Sequence, residues 1–543
     1  MGVFQPPKDG SILIIDDKVE EALPLLKLLS QGGVACTYYS GTRDSELPAG
    51  PVQKIRLAFV DIQLFPASDA NTYAQNVLRL LDKIIADDNG PYILVVWSKY
   101  EEDYADELER QITAPDFSKR PVVFSRLHKN DYFQARTDDS LGDILEDVYS
   151  SLGTRFGEED LRAIKSVIDE KRPIATTWEA KDNALELIYA ALQSKLGEAD
   201  TLQLFIIWEN LINKASGKVV GSFSALYPTD DYWRDNLKSG IYRLAHAQLG
   251  KTIDSADEDD LIRNALKTIN QSFLDVVEGY INDTQNLSAI IKLDRNTISF
   301  TQRLGDDEYK IIKKTKTARY QLLINGVKMP SGQPKDTSNI EKLKECGSNS
   351  AQNMNIKALI KEFKSITPEI NTRLLIDFPK SRTIQPGNIY QKEGIHWNRK
   401  RSLLRSYYDP EAAIFKKDAR GNYQVAYSVI KTFIFIELEI TPLCDYTERK
   451  WKKSRLLPGV LIPEQYTSEI SKSDSIYRNI PIIKINNKGY KPVFNFHLLK
   501  SIDIEEDPNK LRIPICRAKR ELCADIQSRL SSHASRVGIA YVE

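Results

Sequence analysis

Three carboxylates and one hydroxyl in this chain follow directly on short apolar runs. Asp16-Asp17 come after Ser11 to Ile15, Asp61 after Ile55 to Val60, and Ser98 after Tyr92 to Trp97. In an open parallel sheet, groups at the carboxyl ends of the strands gather at one rim near the switch in strand order. Carboxylates brought together there repel one another and bind a hard cation such as Mg²⁺. With that charge offset, a carboxylate oxygen can attack phosphorus. A nearby lysine ammonium can hold the phosphoryl oxygens, and a hydroxyl can hydrogen-bond to the new charge. Singly these residues are ordinary: Asp17 reads as a helix N-cap and Asp61 as a turn residue at a strand end. Their order, each at a strand end, is what points to chemistry.

The elements that must hold them alternate. Strand-like runs at Ser11 to Ile15, Val34 to Tyr39, Ile55 to Val60, Tyr92 to Trp97 and from Pro121 to Phe124 are separated by helical patterns at Val19 to Leu29, Tyr73 to Ile85 and Tyr104 to Ile112. Gly32-Gly33 stops the first helix, and Pro24 falls early enough in it to be tolerated. Continuous apolar strands alternating with helices imply a parallel sheet covered on both faces.

This arrangement resembles the response-regulator receiver family of two-component signalling. The resemblance rests on Asp16-Asp17, on Asp61 in Leu57-Ala-Phe-Val-Asp-Ile62, and on the separation 61 − 17 = 44. It covers about a quarter of the chain, residues 1–137. It implies a doubly wound five-stranded sheet of order 2-1-3-4-5, with Asp61 as phosphoacceptor and Ser98 as the reporting hydroxyl. It further implies Mg²⁺ held by Asp16, Asp17, Asp61 and the backbone carbonyl of Gln63. The family's lysine falls on Lys129, with Lys99 beside Ser98 as a competitor. Two departures stand out: Lys129 lies 129 − 98 = 31 residues beyond Ser98, past the expected end of the fifth strand, and Arg126 stands where the family has a switch aromatic.

Residues 138–297 read as helical, with apolar stripes at Leu185, Leu187, Ile188, Ala191 and Leu192 and at Leu202, Phe205, Ile206 and Leu211. Residues 298–543 read as a β-rich mixed domain, with strand-like runs at Leu374 to Phe378, Val425 to Leu438, Val460 to Pro463 and Ile480 to Ile485. No P-loop is present. Arg243-Leu-Ala-His246 is too closely spaced for a helical ribonuclease motif. Glu437 and Glu439 fall on one face of a strand and could serve a metal-dependent nuclease. No lysine follows at the expected place, so a solvated strand edge is the expected reading. Two basic stretches containing tryptophan, with Arg399, Lys400 and Arg401 in one and Lys450, Lys452 and Lys453 in the other, could track phosphates and stack bases. Nucleic acid is nevertheless not the expected partner. The segment Glu437 to Asp445, with Leu456-Leu-Pro-Gly-Val460 and the terminal Ser535-Arg-Val-Gly-Ile539, resembles a Cys-Asp-containing β-barrel-like domain of uncharacterised bacterial proteins. Cys444 there reads as a buried structural thiol.

Equal numbers of basic and acidic side chains, 75 each, give no global pull toward nucleic acid or an anionic membrane. No secretion signal, myristoylation motif or membrane-spanning run is evident. Five dispersed cysteines fit reduced thiols, so a cytoplasmic protein is expected. A receiver followed by a long helical region and such a tail resembles the large receiver proteins of bacterial anti-phage systems of the Detocs kind. That resemblance implies a sensor histidine kinase as partner, a co-encoded effector, and a role as phosphate buffer with no catalysis beyond self-phosphorylation and dephosphorylation. A receiver-controlled effector enzyme of nuclease type and a nucleic-acid-binding regulator are the alternatives. Homodimerisation is compatible with either, since receivers and helical bundles often pair.

Overall fold

The fold is given by a computed structural model that describes residues 6–7, 9–64, 69–99, 102–114, 117–137, 148–151, 157, 159, 162–163, 176–196, 200–329, 337–380, 385–417, 423–442, 452–507, 509 and 512–535. The chain divides into two compact units, one of residues 1–237 with 269–293, the other of residues 238–268 with 294–543.

In the first unit, β1 (Asp9–Ile15), α1 (Val19–Gln31), β2 (Ala35–Tyr39), β3 (Leu57–Val60), α2 (Ala70–Ile84), β4 (Ile93–Ser98), α3 (Glu102–Ile112) and β5 (Val123–His128) alternate as the sequence implies. The strands form a parallel sheet of order β2-β1-β3-β4-β5. Successive residues of each strand feed opposite faces, as strand geometry requires. Ile12, Ile14, Leu57, Phe59, Val95 and Trp97 pack on one side with Ala22, Leu25 and Leu29 of α1. Leu13, Ile15, Ala58, Val60, Leu94 and Val96 pack on the other with Val77 and Leu81 of α2 and Leu108 of α3.

Two features depart from the sequence reading. The fifth strand runs to His128, several residues beyond the apolar run that marks its start. Its burial alternates, with Val123, Ser125 and Leu127 inside and the polar Arg126 and His128 outside, which hides a strand from a search for continuous apolar residues. The region expected to be wholly helical also contains strand. After the four-residue helix α4 (Lys129–Tyr132), β6 (Phe133–Thr137) pairs antiparallel with β7 (Thr176–Ala180). Only then does α5 (Ala184–Leu196) place Ala184, Ile188 and Leu192 on the sheet face already held by α1, with Leu202 and Ile206 of α6 (Asp200–Ser224) beside them. The helices α7 (Trp233–Leu249) and α8 (Glu258–Asp283) follow.

The second unit is antiparallel β with helices. Strands β8 (Thr297–Leu304), β9 (Asp307–Lys314), β10 (Tyr320–Ile324) and β11 (Val327–Met329) form a meander. Ile356, Leu359 and Ile360 of α9 (Ser350–Leu375) pack on its Tyr309, Ile311 and Leu322. The larger sheet contains β12 (Ile376–Asp377), β13 (Asn388–Gln391), β16 (Ile434–Glu439), β17 (Lys453–Pro463), β18 (Ile476–Tyr477), β19 (Ile483–Ile485), β20 (Lys488–Asn495), β21 (Lys500–Asp503) and β22 (Cys516–Ala518). It runs β12-β22-β13-β16-β17-β20-β18, with β19 on β20 and β21 on β17. Helix α10 (Trp397–Arg405) and the small pair β14 (Lys416–Lys417) and β15 (Tyr423–Gln424) lie between β13 and β16 in sequence. Helix α11 (Arg520–Ala534) ends the described chain.

The strand expected at Leu374 to Phe378 is shortened to two residues because α9 runs on to Leu375. The one expected from Val425 begins only at Ile434, after a helical turn at Tyr427–Ile430. Glu437 and Glu439 are not a solvated edge: β16 is an interior strand between β13 and β17, and the two side chains are 3% and 0% exposed.

Candidate functional site

Backbone ladders set the rim of the parallel sheet. Asp61 N–H donates to the Ile15 carbonyl (2.9 Å) and Asp16 N–H to the Tyr39 carbonyl (3.2 Å), so both aspartates leave their strands at one level. The ammonium of Lys129 enters between them, 2.5 Å from Asp61 Oδ2, 2.6 Å from Asp16 Oδ2 and 3.1 Å from Glu21 Oε2. Ser98 Oγ donates to Asp61 Oδ1 (3.0 Å), and the Gln63 N–H donates to the same oxygen (3.1 Å). Asp16 Oδ1 accepts from Lys18 N–H (3.1 Å), and its backbone carbonyl accepts from Tyr38 OH (2.7 Å). Lys129 is 1% exposed and Asp16 0%.

The residues singled out at the three strand ends therefore meet, and Lys129 joins them because β5 delivers it one residue past its end. Asp17 is half-buried beside them. It does not cap α1: Lys18 is the N-cap residue, and no side chain caps that helix. Lys99, the competing lysine, joins the cluster through Glu21. Its ammonium is 2.9 Å from Glu21 Oε1 and lies 3.5 Å from the centroid of the Trp178 ring on β7. Arg126 pairs with Asp106 (2.6 Å) and with Glu109, both on α3.

Glu21 is the residue that the sequence reading missed. It sits in the first turn of α1, where acidic residues are common for dipole reasons alone. The available signal was its position four residues after Asp17, which turns it toward the same rim. Burial would raise its carboxyl, but the hydrogen bonds from Lys99 and Lys129 outweigh this and hold it below the ordinary glutamate value.

The electrostatics are those of crowded carboxylates. Burial, with Asp61 adding repulsion against the pull of Lys129, pushes the Asp16 carboxyl up to about 6. Asp17 is raised by burial and then by Asp61. Burial opposes the charge on Lys129, but Asp61 and Asp16 prevail and raise its value. Carboxylate oxygens of Asp16, Glu21 and Asp61 lie within 4.8 Å of one another, so this buried acidic triad could bind a metal ion. The donors fit a hard divalent cation in kind, since all are carboxylate oxygens.

Of the basic residues considered for nucleic acid, Arg399, Lys400 and Arg401 lie on α10. The Arg401 guanidinium is 4.3 Å from the Trp397 ring centroid and bonds Gln424 (3.2 Å), while Lys400 sits 5.9 Å from the Phe435 ring centroid. Lys452 and Lys453 are exposed at the start of β17, where Lys453 pairs in register with Asp503. Lys450 and Cys444 lie outside the described residues. Cys36, Cys346, Cys516 and Cys523 are free thiols. Among the described residues no helix is long and apolar enough to cross a membrane.

The five-stranded parallel sheet with a buried acidic cluster at its rim is compatible with a receiver-like fold. Compared with models of protein families, with curated proteins and with solved structures, the chain has no match.

Proposed function

We propose that the first unit is a phosphoacceptor of the receiver type, with Asp61 as the residue that takes the phosphoryl group. The observation that carries this reading is the convergence on one buried carboxylate of an ammonium at 2.5 Å and a hydroxyl at 3.0 Å. An Asp61 oxygen attacks the phosphorus of a phosphohistidine on a partner kinase. The P–O bond forms as the P–N bond breaks, giving an acyl phosphate on Asp61 and returning the electron pair to the histidine nitrogen. Lys129 moves from pairing with the carboxylate to holding a phosphoryl oxygen, and Ser98 donates its hydrogen bond to the new anion. Asp16, Asp17 and Asp61 with the Gln63 carbonyl would hold Mg²⁺, whose charge offsets that of the nucleophile and the incoming phosphoryl group.

In the wider setting we propose a cytoplasmic protein of a bacterial two-component-type system of the anti-phage kind, accepting phosphoryl groups from a sensor histidine kinase and buffering their flow to a co-encoded effector. The order of receiver, helical region and β-rich tail supports this reading. Intact-mass measurement after incubation with acetyl phosphate and Mg²⁺ tests the chemistry. Wild type gains one phosphoryl group and Asp61→Asn gains none. If neither protein gains one, the phosphoacceptor reading and the buffering role both fall.

A further inference from the structure

The second unit carries a concave, lysine-rich surface that takes no part in the chemistry above. A cavity of about 340 Å³ opens there between α9, the 3-10 turn Ile340–Glu345 and the β19–β20 hairpin. Lys357, Lys361 and Lys364 line it from α9, Lys344 from the turn and Lys484 from β19. These five lysines face two acidic residues in the lining, Glu341 and Glu464. The whole chain has no net charge, so the positive excess is a local feature.

Packing fixes the walls at both ends of the helix. Ile356, Leu359 and Ile360 of α9 share a core with Ile340 and Leu343, which holds the turn against the first half of the helix. Toward the other end, Asn371 Nδ2 donates to the Ile482 carbonyl (3.1 Å), and Lys484 N–H donates to Thr372 Oγ1 (2.7 Å). Asn486 and Asn487, both at positive φ, close the β19–β20 hairpin in two residues, a turn that matches the twist of the strands. Gly489 leaves room for Glu464: a Cβ there would stand 3.0 Å from Oε2 of that carboxylate. Residues three and four apart share a helix face, so Lys357, Lys361 and Lys364 form one row.

The charges of that row are unevenly met. Glu341 pairs with Lys344 and with Lys364 (3.1 Å), and hydrogen bonds from the two hold its carboxyl below the ordinary glutamate value. Lys484 pairs with Glu369 (2.7 Å). Lys357 and Lys361 are exposed and have no hydrogen bond or ion pair among the described residues. Like charges four apart on a helix repel, and an anion in the cavity relieves that repulsion. The lining has no aromatic side chain on which a base could stack, and its apolar members, Ile360 and Pro368, are buried. Recognition there rests on charge, and lysine ammoniums bind phosphate as point charges. The volume is at the small end for ligand sites, which suits a compact ligand. We propose that Lys357, Lys361 and Lys364, with Lys344 and Lys484, form a binding site for a compact polyanion of linked phosphate groups, the class of inorganic triphosphate. This site is independent of the phosphoacceptor reading.

The test is isothermal titration calorimetry of the full chain with inorganic triphosphate in metal-free buffer, so that no cation at the rim of the first unit attracts the ligand. Wild type should bind, and Lys357→Ala/Lys361→Ala should bind about tenfold more weakly. Lys452→Ala/Lys453→Ala, at the start of β17 and outside the cavity, should bind as wild type does. No binding by wild type, or binding unchanged in Lys357→Ala/Lys361→Ala, overturns the site. Equal weakening by the two lysine pairs also overturns it, in favour of charge attraction without a pocket. A short oligodeoxynucleotide that displaces triphosphate and binds more tightly assigns the face to a nucleic-acid backbone and overturns the compact ligand. Thermal unfolding guards against a folding defect. The wild-type midpoint should rise with triphosphate concentration and that of Lys357→Ala/Lys361→Ala should not, whereas a wild-type midpoint indifferent to triphosphate overturns the site.

Discussion

At the scale of single residues, Asp16 stores the tension of the rim. Its folded value near 6 lies above the unfolded value of 3.8, so between those pH values the folded protein holds a proton that the unfolded chain has shed. The sign follows: this group's contribution to stability grows as pH falls from neutrality through about 6 and levels off below about 4. At pH 7 its ionised form costs the fold about 3 kcal/mol, taking two units at 1.4 kcal/mol each. Asp16→Asn should therefore raise metal-free stability at pH 7 by about 1–3 kcal/mol in urea unfolding, and that gain should shrink toward pH 4. In the wild type, Mg²⁺ bound through an ionised Asp16 should bind about tenfold more weakly at pH 5 than at pH 7, since only about a tenth of the group is then ionised. Titration calorimetry at the two pH values measures this. Glu21 has the opposite sign. Its lowered value means stability present above about pH 4.5 and lost on acidification. Glu21→Gln strips Lys99 and Lys129 of a shared buried partner and should cost about 2 kcal/mol at pH 7, a cost that shrinks as pH falls below the ordinary glutamate value. A cost that stays unchanged on acidification to the point of acid unfolding would mean that packing, not charge, explains Glu21.

At the scale of elements, the legibility of the site followed how each side chain reaches it. Asp16, Asp61 and Ser98 were readable because an interior parallel strand is apolar on both faces and its first polar residue marks the rim. Lys129 was harder to place. As the last strand of the sheet, β5 has one side in partial contact with solvent, so Arg126 and His128 interrupt its pattern. Glu21 looked like any first-turn acid. The covering of the sheet was also hard to foresee: the apolar stripe at Leu185, Leu187, Ile188, Ala191 and Leu192 was visible, but nothing in its period said that Ile188 and Leu192, with Ala184, join the core of the parallel sheet while Leu187 stays exposed. The buried glutamates of β16 failed for a related reason. Alternating charge on a strand looks solvated unless Lys392 and Lys500, 45 residues before Glu437 and 63 after it, are known to close over it. A prediction belongs here. A chain ended at residue 137 lacks β7 and α5 and so loses Ala184, Ile188 and Leu192 from the core on the α1 face of the sheet, so it should not unfold cooperatively. In the full chain Ile188→Ala should cost about 2–4 kcal/mol, a loss measured in the first unit's transition. A cooperative 1–137 fragment would show that α5 is an addition to the core and no part of it.

At the scale of the whole molecule, the question is whether a phosphoryl group on Asp61 is felt beyond the first unit. The chain passes between the units three times, after Leu237, Thr268 and Leu293. The first passage falls inside α7, continuous from Trp233 to Leu249, and the second inside α8, continuous from Glu258 to Asp283. Two helices thus begin in one unit and end in the other, and a continuous helix transmits displacement along its axis better than a flexible linker does. A proline at the middle of α8 removes one backbone hydrogen bond and clashes with the preceding turn, at roughly 3 kcal/mol. If phosphorylation is passed on, hydrogen exchange in residues 294–535 should change when wild type is phosphorylated. In Ile269→Pro that change should be reduced, α7 remaining intact, while Asp61 still takes up the phosphoryl group at the wild-type level. A protein that only buffers phosphoryl flow behaves differently: exchange in the second unit stays constant in wild type and variant alike, and phosphoryl uptake is its entire output. Reading uptake by mass and exchange by peptide in one preparation separates the two, because the buffer changes only the first quantity and the switch changes both.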